Sequence, residues 1–176
     1  MNIEVEIRSF ITKEQYEKLL EFFKKEGELV KEDYQETYYF DTDEDLRIQK
    51  NKFFSKIWLK KGKIHDDHRE EIEIKFDKDD FAKLEKLFLN IGMNIDIKWF
   101  RTRYAFKWQD VEASVDYTKG YGYIIELEKM STEEEKEKAL ELLKEKLKQL
   151  KIPLTPKEEF KKKYEFYKKN WQKLTK

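Results

Sequence analysis

Two carboxylates spaced two residues apart and followed by a cation open the chain, as Glu4-Val-Glu6-Ile-Arg8. The order returns as Glu71-Ile-Glu73-Ile-Lys75, and Glu126-Leu-Glu128-Lys129 repeats its acidic part. In an extended strand, residues i, i+2 and i+4 point to one side. Each copy therefore sets two carboxylates, twice with a cation, on one strand face and Val, Ile or Leu on the other. Carboxylate pairs beside cations are the groups a chain needs to hold a divalent metal and a polyphosphate together.

The same alternation marks other segments. Arg47 and Gln49 share a face, as do Lys56, Trp58 and Lys60; Arg69 aligns with Glu71, Glu73 and Lys75; Arg101 aligns with Arg103, and Glu112 with Ser114 and Asp116. About eight strands are expected. They include 3–10, 34–41, 46–50, 54–61, 68–76, 97–108, 111–117 and 123–129. Four helices separate or follow them. Thr12 with Gln15 forms a capping-box pattern ahead of Tyr16, Leu19, Leu20 and Phe23, and Gly27 suits the stop. Asp77 can cap a second helix with the stripe Phe81, Leu84, Phe88 and Ile91. A third helix is expected from Ser131 or Thr132 to about Leu150, and a fourth from Thr155-Pro156. Strand, capped helix, Gly and aromatic-rich strand occur in order over 4–40 and again over 71–106, which reads as an internal duplication with a pseudo-twofold pairing inside one domain, 1–176.

Composition narrows the chemistry. The chain has 176 residues and is 39% hydrophobic, enough for a core. Its 38 basic and 38 acidic side chains cancel, which argues against a general nucleic-acid binder. Cysteine is absent, which removes disulfides, thiolate nucleophiles and Cys-based metal sites. No signal peptide pattern and no apolar run of membrane-spanning length are visible, so a cytoplasmic location without membrane contact is expected. His65 and His68 lie in a polar turn, and no P-loop, HExxH or dinucleotide fingerprint occurs.

Two arrangements accommodate the charged faces. One is an open antiparallel sheet, wet on one side and packed on helices by the other. The other is a closed eight-stranded barrel whose lumen holds interleaved charges, since unpaired buried ions cost several kcal/mol each. A lumen of both signs suits an anion that itself carries cations.

The chain resembles the CYTH family, also called triphosphate tunnel metalloenzymes, and most of all its class IV adenylyl cyclase branch. The blocks that carry the resemblance are Glu4-Val-Glu6-Ile-Arg8, Tyr38-Tyr39-Phe40-Asp41-Thr42, Leu46-Arg47-Ile48, Leu59-Lys60, Arg69-Glu70-Glu71-Ile72-Glu73, Arg101-Thr102-Arg103-Tyr104, Ser114-Val115-Asp116, Gly120-Tyr121-Gly122 and Glu126-Leu127-Glu128, with Tyr164 on the last helix. The resemblance implies an α+β fold built on an eight-stranded antiparallel closed β-barrel, a tunnel with a charged lumen and helices outside. It implies a metal-dependent enzyme acting on a triphosphate such as ATP or tripolyphosphate, either as a cyclase or as a triphosphatase. A non-catalytic polyphosphate- or nucleotide-binding protein is the third alternative. Arg8, Arg47, Lys60, Arg69, Arg101 and Arg103 would grip the triphosphate. Glu4, Glu6, Glu73, Glu126 and Glu128 would hold Mg²⁺ or Mn²⁺, and Glu6, Arg8 and Asp116 are the implied catalytic residues. The chain departs from the family pattern at Arg8, which replaces a lysine and stays protonated. Gln49 replaces a frequent arginine. Trp58 replaces a small residue and is expected to narrow the tunnel or stack on a base. The aromatic-rich strands could support a homodimer.

Overall fold

Among the described residues, period-two alternation builds eight strands and amphipathic stripes build four helices. A computed structural model describes residues 3–60 and 71–176, Glu71 by its backbone only. The order is β1 (Ile3–Ile11), α1 (Lys13–Glu26), β2 (Glu28–Phe40), β3 (Asp45–Lys50), β4 (Ser55–Lys60), β5 (Glu71–Phe76), α2 (Phe81–Asn90), β6 (Ile95–Trp108), β7 (Val111–Thr118), β8 (Gly122–Ser131), α3 (Lys136–Gln149) and α4 (Lys157–Leu174). The strands form one antiparallel sheet in the order β1-β8-β7-β6-β2-β3-β4-β5. The chain is thus α+β, and the succession β1-α1-β2 recurs as β5-α2-β6.

The described chain gathers into two compact units. The first comprises residues 3–32 and 102–167, and the second 33–60, 71–101 and 168–176. In the first unit, β1 pairs with β8 and β8 with β7. Ile7, Ile11, Val111, Ala113, Val115, Ile125 and Leu127 fill the apolar sheet face, and Leu19 and Phe23 of α1 and Leu143 and Leu147 of α3 pack against it. In the second unit, Tyr38, Phe40 and Ile48 meet Phe81 and Phe88 around α2.

Local chemistry sets the ends of elements. Thr12 and Gln15 form the expected capping box, satisfying two N–H groups at the start of α1. Asp77 caps one turn of 3₁₀ helix, Lys78–Asp80, so α2 itself starts at Phe81. The β7–β8 hairpin turns on Gly120 and Gly122, at φ +75° and +124°, a region that favours glycine.

Three differences from the sequence reading bear on how the elements are tied together. β2 begins at Glu28 rather than near Tyr34, directly after the Gly27 stop. Ser131 ends β8 opposite Ile3, so α3 starts only at Lys136, and without a side-chain cap. Thr155 serves a strand: its hydroxyl accepts the Phe10 N–H at 2.9 Å, and its own N–H donates to Ser9 Oγ at 3.0 Å. Those two bonds pin the start of α4 to β1. Phe160 of α4 then stacks on Phe10 at 4.1 Å, and Tyr167 meets Tyr121 edge-on. Phe10 shares the face of Glu6 and Arg8, so this part of α4 packs at one end of the charged face.

Phe23 is fully buried and its ring contacts Phe22, Phe106 and Trp108. Phe23→Ala should destabilise the protein by about 3–5 kcal/mol in urea unfolding, the usual cost of an aromatic core cavity. A change below about 1 kcal/mol would show that α1 docks without this ring.

Candidate functional site

Register decides which charged side chains become neighbours, because residues directly opposite in an antiparallel pair share a face. In the first unit Glu6 lies opposite Glu128, and Glu128 opposite Glu112. The adjacent row is Arg8, Glu126 and Ser114, and the next is Phe10, Ile124 and Asp116. Glu4 lies one pleat beyond Glu6, opposite Met130. Three strands thus crowd carboxylates onto one face.

Arg103 is the main counter-charge. Its Nε donates to Asp116 Oδ1 at 2.9 Å, and its Nη2 donates to Asp116 Oδ2 at 2.7 Å and to Glu126 Oε1 at 3.2 Å. Asp116 is 5% exposed and Glu126 12%. These are depths at which removing one partner strands an ion. Burial alone would lower the Arg103 pKa, but Glu126 and Asp116 outweigh it and raise it. Arg8, half-exposed, sits 3.8 Å from Glu6 and over the Phe160 ring.

Glu6 and Glu128 are under-compensated. Burial first, then repulsion from Glu126, raises the Glu6 pKa, with Arg8 opposing. Glu128 is pushed up to about 7 by burial, with repulsion from Glu4, Glu112, Glu126 and Glu6 added. A hard divalent cation is the natural relief for such crowding, and the donors are all oxygens. Among the described residues no three acidic or histidine side chains converge tightly enough to enclose an ion unaided. Mg²⁺ rarely asks for that, since one or two carboxylates with substrate phosphates and waters complete its shell. The residues present fit such an ion.

The second unit carries the other candidates. Arg47 is gripped by Asp45, Nε to Oδ1 at 2.7 Å and Nη2 to Oδ2 at 2.5 Å. Arg101 donates twice to Gln35 Oε1, and Gln35 donates to buried Asp33. Gln49 donates to Thr37. Glu73 is bound by Lys56 at 2.8 Å, a bond that lowers its pKa. Lys60 ends β4, opposite Glu71 in register. Arg69, like His65 and His68, lies outside the described residues.

The sequence-predicted acids Glu4, Glu6, Glu126, Glu128 and Asp116 therefore gather in the first unit with Arg8 and Arg103. Glu73, Arg47, Lys60 and Arg101 lie in the second. Sequence reading named Glu112 only as a strand partner. Its place beside Glu128 follows from the β7–β8 register, which the two-glycine turn sets. Asp45 and Tyr39 were likewise missed as partners of Arg47, although the i, i+2 spacing of Asp45 was a readable signal.

Fold and site define an α+β protein whose antiparallel sheet pairs an apolar face with one of interleaved charge. The chain belongs to the CYTH domain family, which matches residues 2–170. It is 37% identical over 164 residues to a Methanocaldococcus jannaschii protein named "Putative adenylate cyclase", a match covering 85% of this chain and 90% of that one. Among solved structures it resembles a conserved hypothetical protein of Pyrococcus furiosus, with a TM-score of 0.67 and 26% identity, covering 86% of this chain and 92% of that one. It shares the fold of a Vibrio parahaemolyticus protein described as a "putative adenylate cyclase", with a TM-score of 0.63 and 15% identity over 89% of this chain and 95% of the other. No described helix is long and apolar enough to cross a membrane.

Glu128 gives the site a pH signature. Between its ordinary value near 4.5 and about 7, the folded state holds a proton that the unfolded chain has lost. Stability therefore falls as pH rises through that window, and the full cost stands above it. Glu128→Gln should flatten the fall in Tm between pH 5 and pH 8 measured without divalent metal. Parallel Tm profiles for variant and wild type would contradict the assignment.

Proposed function

We propose that this protein is a divalent-metal-dependent enzyme acting on a triphosphate, and that its reaction is class IV adenylyl cyclase-like, converting ATP to cyclic AMP and pyrophosphate. The observation that carries the reading is the carboxylate face of β1, β7 and β8, crowded enough to raise Glu6 and Glu128 yet anchored by Arg103. Family membership and the archaeal relative's name support the same direction.

Glu4, Glu126 and Glu128 would hold Mg²⁺ or Mn²⁺ through oxygen, with Glu6 beside them. The bound ion would supply charge neutralisation at the phosphate oxygens. Arg8 and Arg103 in the first unit, and Arg47, Lys60, Arg69 and Arg101, are the cations assigned to grip the polyphosphate. Arginine suits this because its planar fork matches phosphate oxygens and never loses its charge. Arg8 therefore acts as a grip, since a permanently charged guanidinium cannot serve as a general base.

The substrate's ribose 3′-hydroxyl oxygen would attack the α-phosphorus, forming the O3′–Pα bond. The bond from Pα to the bridging oxygen of the β-phosphate breaks, and pyrophosphate leaves with the electron pair. The hydroxyl proton passes to the acidic face, with Glu6 as the assigned acceptor. Asp116 would contribute by fixing Arg103 rather than by touching substrate. Positioning and charge stabilisation carry most of such a displacement. Closure of the sheet into a tunnel, a cytoplasmic setting and a homodimer belong to the same proposal.

The triphosphatase reading uses the same residues, with water attacking the γ-phosphorus and orthophosphate leaving. Product analysis with Mg²⁺ or Mn²⁺, offering ATP and tripolyphosphate separately, distinguishes the two. Cyclic AMP with pyrophosphate is the expected outcome, whereas phosphate from tripolyphosphate without cyclic AMP would replace the cyclase by a triphosphatase. Glu126→Ala should cut turnover by about 100-fold or more while leaving nucleotide binding within about tenfold. Full turnover in that variant would remove Glu126 from the metal site.

A further inference from the structure

Trp58 stands at a sequence position where an aromatic ring invites a role in base recognition, and its surroundings give it another. The register sets Tyr39, Arg47, Trp58 and Glu73 in one row across β2, β3, β4 and β5, so Arg47 has an aromatic residue directly opposite on each side. The Arg47 guanidinium carbon lies 4.4 Å from the Tyr39 ring centroid and 5.6 Å from that of Trp58. Both fall within the range of cation–π attraction. Asp45, 5% exposed, holds the Nε–Nη2 edge through two bonds, and Arg47 itself is only 15% exposed. The Lys56 ammonium lies 4.4 Å from the same indole while it binds Glu73.

An indole that stacks on a nucleobase needs an open ring face. Trp58 is 6% exposed and carries two cations near its ring. Its ring is committed to the protein's own charges. A guanidinium fixed by a carboxylate fork and two rings has already lost its rotamer freedom on folding, so little remains to be lost when an anion arrives.

We propose that Trp58, with Tyr39 and Asp45, is a positioning residue that locks the Arg47 guanidinium for an anionic ligand, and that it takes no part in reading a base. The identity of the anion as a polyphosphate rests on the function proposed above; the locking of Arg47 does not.

The first arm of the test reads the arginine alone. In side-chain ¹H–¹⁵N spectra of the full chain, assigned with Arg47→Lys, the Arg47 Nε–H should be displaced by the ring currents and exchange slowly with water. Trp58→Thr should return it toward a free arginine, and Trp58→Phe should largely retain it. An Arg47 signal already at the free-arginine position in wild type would overturn the proposal, whatever the protein binds. Should Trp58→Thr fail to fold, Asp45→Asn opens the clamp from its other side with the same expected signature.

The second arm titrates tripolyphosphate and ATP with Mg²⁺ present. Trp58→Thr should weaken both by the same factor, about tenfold, because the lost element is cation placement and not base contact. A loss confined to ATP would make Trp58 a base platform and overturn the proposal. If wild type binds neither compound, the polyphosphate reading fails and the spectra alone decide whether Arg47 is locked.

Discussion

Like charge on one sheet face is the constraint from which the first unit follows. Glu6, Glu128 and Glu112 stand in one register row, with Glu4 and Glu126 one row to either side and Asp116 one row beyond Glu126. Directly opposed like charges oppose strand pairing. The sheet holds because its other face buries a continuous apolar core under α1 and α3, and because Arg103 neutralises the two deepest acids. Burial first, and then repulsion among the carboxylates, raises the proton affinity of Glu6, against the pull of Arg8 and Arg103, and of Glu128. A protein that keeps such a face accepts lower stability at neutral pH.

The second unit handles charge in the opposite way. Its ions are paired within it: Arg47 with Asp45, Lys56 with Glu73, Lys98 with Glu85, Lys168 with Asp96. Aromatic rings sit beside several of these cations, including Tyr39 and Trp58 beside Arg47 and Tyr38 beside Lys98. Such pairing fixes a cation's geometry while leaving it charged. The α4 helix adds a third device, placing Phe160 on Phe10 and Lys163 over both Phe10 and Tyr121. Burial lowers the Lys163 pKa there.

Much of this was legible in the chain because a strand's period of two leaves little freedom. Glu4, Glu6 and Arg8 had to share a face, and Thr12 with Gln15 had to cap a helix. Local spacing could not supply register. That Glu112 faces Glu128, or that Trp58 faces Arg47, depends on turn geometry between strands. Thr155 misled for a different reason: its hydroxyl could cap a helix or accept the Phe10 N–H, and only the proximity of β1 decides. Ser131 likewise reads as a helix start until Ile3 pairs with it. The family blocks said nothing of Asp45, which the fork to Arg47 makes as important to that cation as any ring.

The function proposed above requires that metal and polyphosphate bind together at the carboxylate face. Calorimetric titration of tripolyphosphate, run without divalent metal and again at saturating Mg²⁺ or Mn²⁺, tests this directly. Linkage requires that each partner strengthen the other by the same factor. The account predicts that affinity for tripolyphosphate rises by about tenfold or more when metal is present, and that metal binds correspondingly tighter to the tripolyphosphate complex. Affinities that do not depend on the second partner would contradict it.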